Sequence, residues 1–189
     1  MKNDLLYKTL RHITNDMSWY LDDFIAEFSI DKRVIADWWI KRTEDYETFS
    51  VLNSGLAIHA VKTLCKKKKW IDTYDMNPFI HDLAWDIHSS EYFHHATVNT
   101  SFDPYLIEPR EVVVNTSCEC SAPMGSFGEP EMIKVLGGNS ATKIGTINRI
   151  DSTDQLIDQW NLRHVIETET LDLIDEFDVP YKQHMVIGK

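Results

Sequence analysis

The spacing of apolar residues changes once along this chain, at residues 48–49. Before that point they recur three and four positions apart, the period of a helix face. Leu5, Leu6, Leu10 and Ile13 form one stripe, Trp19, Tyr20, Phe24 and Phe28 a second, and Val34, Ile35, Trp38 and Trp39 a third. Ser29-Ile30-Asp31 offers a cap ahead of the third helix. No Gly or Pro interrupts residues 1–48, which read as an N-terminal helical segment. Its aromatic stripes carry too much apolar area for open solvent. They must dock on the remainder of the chain, on a second copy of it or on a partner.

After residue 48 short apolar runs alternate with helical patterns. FSVLN (49–53) reads as a strand, SGLAIHAVKTLCKK (54–67) as a helix and KWIDTYD (69–75) as a second strand. Pro78 rules out a continuous strand in the next stretch. YFHHATVN (92–99) is a third strand, REVVVN (110–115) the clearest one, and SATKIGTINR (140–149) contains a weaker fifth. STDQLIDQW (152–160) has a cap and an amphipathic pattern, so it reads as a helix. RHVIETETLDL (163–173) and HMVIGK (184–189) close the series as strands, with only the acidic loop DEFDVPYK between them. Such alternation implies a layered α/β fold with a mainly parallel sheet. The last two strands, lacking a helix between them, imply an antiparallel C-terminal strand. The expected organisation is a helical segment, 1–48, and then one α/β domain, 49–189.

Composition narrows the class. The chain has 189 residues, 43% of them apolar, as in ordinary globular proteins. Nineteen basic residues against thirty acidic give a net charge of −11, which argues against duplex nucleic acid as a partner. The one basic run, KKKK (66–69), reads as a solvated helix end. No apolar run approaches the ~18 residues of a membrane span. The start, MKNDLLYKTLRHI, lacks the apolar stretch of a secretory signal. Cys65, Cys118 and Cys120 do not make a disulfide framework, so a cytoplasmic setting fits best. Cys118 and Cys120 form a C-x-C pair, but zinc wants about four N or S ligands. His94 and His95 lie on another segment, and no metal site is expected.

Candidate chemistry collects where strands end. In VVVNTSCEC (112–120) a buried strand stops abruptly on hydrogen-bonding groups. Ligands of open α/β sheets sit outside the carboxyl ends of the strands, at the switch in strand order. There this chain places Asn53, Ser54 and Gly55 after the first strand, Asp75 and Met76 after the second, Asn99 after the third, and Asn115 to Glu119 after the fourth. A small residue after the first strand lets a ligand approach backbone at a helix amino terminus. An acidic residue ending the second can accept hydrogen bonds from ribose hydroxyls. Asp75 is read as that residue, with a plain surface carboxylate as the alternative. Asn115 is either a site residue or the cap of a turn. Glu119 is a candidate base or an anchor for a substrate amine, or simply a solvated loop carboxylate.

With these residues assembled, the chain resembles the class I S-adenosylmethionine-dependent methyltransferases over roughly residues 49–189. It is most similar to a small group among tailed-phage proteins, whose fourth strand runs into Asn-Thr-Ser-Cys-Glu-His and whose last strand ends Arg-Phe-Met-aliphatic-Ile-Gly. VNTSCE (114–119) matches the first of these, and HMVIGK (184–189) the second half of the other. The chain also departs from the group. Gly55 stands alone where two or three glycines are usual, Cys120 replaces the histidine, His59 inside the first helix is unusual, and TINRIDSTDQ (146–155) keeps neither the Gln-Ser-Asn element that ends strand five nor the acid-His pair after it cleanly. The resemblance implies a Rossmann-like fold and S-adenosylmethionine as cofactor, held by Asn53, Ser54, Gly55, Asp75, Met76 and Asn99. Asn115 and Glu119 would then be catalytic, and the acceptor a small molecule or a protein side chain. The departures leave a second expectation open: a non-catalytic phage interaction or virion-associated protein on the same fold, using its N-terminal helices for contact.

Overall fold

The computed structural model describes residues 29–99, 103–123, 127, 131–140, 146–175 and 178–189. The first two helical stripes lie outside these. The third forms helix α1 (Ile30–Arg42). Strand β1 (Thr48–Leu52), helix α2 (Ile58–Lys66), β2 (Trp70–Asp75), α3 (Pro78–His88) and β3 (Phe93–Thr97) come next. Then come β4 (Val112–Asn115), β5 (Ile133–Asn139), α4 (Thr153–Gln159), β6 (Val165–Ile174) and β7 (Pro180–Gly188).

The seven strands form one sheet in the order β3-β2-β1-β4-β5-β7-β6. Pairs among β1 to β5 are parallel, while β7 runs antiparallel to both β5 and β6. The expected mainly parallel sheet with an antiparallel C-terminal strand is therefore present. Strand order reverses between β1 and β4, where the chain leaves one half of the sheet for the other.

Alternation along β4 sets the two layers. Val112 and Val114 face a core that includes Trp39 of α1, Leu64 of α2 and Leu83 of α3. Val113 faces the opposite core, with Leu156 of α4, Trp160, Ile150 and Ile107. All three valines are wholly buried, as strands covered on both faces require. Helix α1 is fastened at the far side of the sheet. Arg42 pairs with Glu167 at 2.7 Å and Glu169 at 3.0 Å on β6 and lies 4.2 Å over the Trp38 ring. Tyr181 of β7 donates to Asp31 at 2.7 Å.

Several boundaries differ from expectation, each for a physical reason. The fifth strand is Ile133–Asn139, not part of 140–149, whose described residues 146–149 form no strand. Gly137 and Gly138 continue that strand because they pair with Met185 and His184 of β7. The stretch after β2 is a helix, with Pro78 at its first position, where the missing N–H costs nothing. The acidic loop is shorter than read, because β7 begins at Pro180. Of the basic run, Lys66 to Lys68 are exposed, whereas Lys69 is buried and donates to the carbonyls of Glu44 and Tyr46.

At the α3–β3 edge, four histidines gather. His88 Nε2 donates to the Leu56 carbonyl at 2.8 Å, and His95 Nδ1 shares a hydrogen bond with the Thr73 hydroxyl at 2.8 Å. Burial lowers both pKa values from 6.5 to about 4. Lys62 adds to the effect on His88, and His81, His94 and His88 add to that on His95. Both rings are neutral in the fold at pH 7 and take up protons on unfolding. Stability is therefore fully present above pH 6.5 and declines as pH falls toward about 4. Each ring should remove on the order of 3 kcal/mol at most across that window, less for the partly screened His95. Urea unfolding at several pH values should show a smaller acid loss in His95→Phe than in the parent. Equal losses would mean the ring is protonated in the fold.

Candidate functional site

β1 ends in a backbone turn that one glycine alone would not predict. Asn53, Gly55 and Ala57 all have positive φ, 49°, 52° and 44°. Asn and Gly tolerate the left-handed region, but Ala57 gives up ~1–2 kcal/mol there. Helix α2 consequently starts at Ile58 rather than at residue 54. Asp75, the last residue of β2, holds this turn. Its Oδ2 accepts the Gly55 N–H at 2.8 Å, and its Oδ1 accepts the Asn77 N–H at 2.9 Å. Ser54 N–H donates to the Tyr74 carbonyl at 3.1 Å, which seats the turn against the end of β2.

β4 ends in a second turn, beside the first. Asn115 is wholly buried. Its Oδ1 accepts the Ser117 N–H at 3.1 Å and lies 3.5 Å from Asn53 Nδ2, while its own Nδ2 donates to Ser121 Oγ at 3.1 Å. Cys118 is buried beneath the turn and its thiol donates to the Asn115 carbonyl at 3.2 Å. Burial pushes that thiol well above the usual range, and the Glu119 charge adds to it, so it stays protonated. Glu119 turns inward. Its Oε1 accepts from Asn139 Nδ2 at 3.0 Å, and its backbone carbonyl accepts the N–H groups of Ile147 and Asn148.

The structure thus brings together Gly55 with Asp75, and Asn53 with Asn115, at the point where strand order reverses. Ser54 belongs to the first turn. Met76 projects from the end of β2, 62% exposed. Asn99 lies two residues beyond β3, and its carbonyl accepts the Asp103 N–H. Missing from the sequence-based set are Asn139, Gln183 and Ser121. Asn139 was hidden behind Gly137-Gly138, and Gln183 lay one residue before the expected start of the last strand. Ser121 had no signal beyond its place after NTSCEC.

No protein-family model matches the chain, and no curated protein matches it by sequence. Solved structures do match in shape. The N-methyltransferase NodS from Bradyrhizobium japonicum aligns over 84% of this chain and 96% of its own, with TM-score 0.58 and 10% identity. Magnesium protoporphyrin IX methyltransferase from Synechocystis, solved with SAH bound, covers 84% and 83% with TM-score 0.59 and 9% identity. The fold is that of the class I methyltransferases. The same fold carries other chemistry, since the cyclase SpnF aligns over 74% of this chain and 61% of its own, with TM-score 0.59 and 12% identity. Among the described residues no helix is long and apolar enough to cross a membrane.

In this class I fold Asp75 serves backbone first. Asp75→Ala would leave two turn N–H groups without their carboxylate. It should cost about 1–3 kcal/mol in urea unfolding, the range for hydrogen bonds to a charged group. Asp75→Asn, which keeps one accepting oxygen, should lose less. Equal stability in the parent and Asp75→Ala would show that the turn holds itself.

Proposed function

We propose that the protein binds S-adenosylmethionine at the carboxyl ends of β1 and β2 and transfers its methyl group to a small-molecule or protein acceptor. The observation that carries this reading is the joining of both turns at the strand-order switch: Gly55 on Asp75, and Asn53 against Asn115. Ligands of doubly wound sheets sit at that point. The donor set suits a nucleoside. A carboxylate oxygen can accept more than one hydrogen bond, so Asp75 can serve the Gly55 N–H and a ribose hydroxyl. Asn53, Ser54 and Gly55 present a tight turn to the rest of the ligand, with Met76 and Asn99 at the rim.

Bound S-adenosylmethionine supplies an electrophilic sulfonium methyl, so the protein need only orient the partners and keep water out. In this reading the turn from Asn115 to Glu119 forms the transfer face. Asn115 fixes its backbone and Glu119 ties it to β5. The acidic net charge supports a small or protein acceptor over a bulky polyanion. VNTSCE and HMVIGK support placement in the tailed-phage group.

A second reading, a non-catalytic protein on this fold, draws on two observations. The first turn has a single glycine among three left-handed residues, and the Asn115 and Glu119 side chains are tied inward. Calorimetric titration with S-adenosylmethionine and SAH separates the readings. The enzyme reading expects micromolar binding of both, weakened by Gly55→Val, whose side chain is strained at φ 52°. Absence of binding by either ligand would favour the non-catalytic reading.

A further inference from the structure

We infer that Asn139 and Gln183 are positioning residues of this site, linked as a relay that fixes the 115–121 turn from β5 and β7. The inference rests on the methyltransferase reading for what the turn does, and on hydrogen-bond geometry for how it is held. Gln183 is 1% exposed in the middle of the sheet. Its Nε2 donates to the Thr116 carbonyl at 3.0 Å, and its Oε1 accepts from Asn139 Nδ2 at 3.2 Å. Asn139 Nδ2 also donates to Glu119 Oε1 at 3.0 Å. The chain has a single sense. Reversing the Gln183 amide would set NH₂ against NH₂ at Asn139 and oxygen against oxygen at Thr116. Two residues of the turn, Thr116 and Glu119, are therefore held at fixed height and rotation by one pair of amides.

Strand β5 is shaped around this relay. A Cβ at Gly137 would stand 2.9 Å from Gln183 Nε2, 2.7 Å from Met185 Sδ and 3.2 Å from Thr116 Cα. One at Gly138 would stand 2.6 Å from Ile150 Cγ1 and 3.3 Å from Glu119 Oε2. Glycine inside a strand weakens it by roughly 0.5–1 kcal/mol relative to Ala. Two in succession are kept where side chains would displace Gln183, Thr116 and Glu119. An apolar residue at 183 could fill space, but it could not direct the turn.

Cys118 reports on the turn directly, since it is 1% exposed beneath it, while the half-buried Cys65 on α2 serves as an internal control. The full chain is treated with iodoacetamide, and each cysteine is followed by peptide mass spectrometry. Gln183→Met should speed Cys118 labelling by about tenfold, the effect of losing one or two hydrogen bonds on a local opening. Cys65 should keep its rate. Glu119→Gln, which retains the accepting oxygen, should stay slow, and Glu119→Leu should not. SAH affinity should fall about fivefold or more in Gln183→Met. If Gln183→Met does not fold, Asn139→Ala is read the same way. Unchanged Cys118 labelling overturns the relay, and so does equal acceleration of Cys65, which would mark general loosening. Faster Cys118 labelling with undiminished SAH affinity overturns the positioning role. If the parent binds neither SAH nor S-adenosylmethionine while the labelling pattern holds, the cofactor reading fails and the relay stands as a fastener of the turn.

Discussion

An amide taken fully out of water must find its hydrogen bonds inside the protein, and Asn115 is such an amide. Its position is a result of the valines before it. They belong in the middle of a sheet covered on both faces, so the strand carries its own terminus into the interior. The partners Asn115 needs are then supplied by bending the chain back on itself, through Ser117 and Ser121, and by drawing in Asn53 from the neighbouring strand. The left-handed start of the β1 turn points that way, and the next residues place Gly55 against Asp75. One buried side chain thus couples the ends of β4 and β1, the Gly55–Asp75 bond extends the link to β2, and the site inherits its shape from a requirement of the core.

Among the described residues, the two sides of the sheet are unequally built. On one, α1, α2 and α3 cover the strands with long apolar stripes. On the other, α4 spans only Thr153–Gln159. The described parts of the β3–β4 and β4–β5 connections contain single 3₁₀ turns, Pro104–Leu106 and Cys118–Cys120. Hydrogen bonds do the fastening there that helices do opposite. Ser50 Oγ donates to the Glu108 carbonyl and accepts the Arg110 N–H, and the Tyr74 hydroxyl accepts the Glu108 N–H. The thinner layer is also the one from which the 115–121 turn rises.

Most strands, and the mainly parallel sheet they form, were legible in the sequence because apolar runs bounded by polar residues leave few alternatives in this fold. VVVN is the plainest case: three valines fix a central strand, and the polar residues after them fix where it ends. What was not legible depended on side chains meeting from distant positions. Gly137-Gly138 has the local signature of a loop, and only the bulk of Met185, Gln183 and Ile150 across from it makes a strand the better use of that segment. Gln183 suffered likewise, since a polar residue beside an apolar run reads as the end of a strand when its partner, Asn139, is not known to be near. Asp75 was visible as an acid ending a strand, but its grip on the Gly55 N–H could not be, because nothing in NSGLA reveals three left-handed residues.

β7 is the one strand that runs against the others, and it lies between β5 and β6 although it comes after both in the chain. As the polypeptide leaves the ribosome, β1 to β5 can pair in turn, but β6 has no place in the sheet until β7 has emerged to fill the gap. Two strands must enter together, late, with long-range pairing. Until β7 pairs, the β5 edge is open. Closing that edge and delivering Gln183 to the turn are the same event, so the site takes its shape only when β7 is in place.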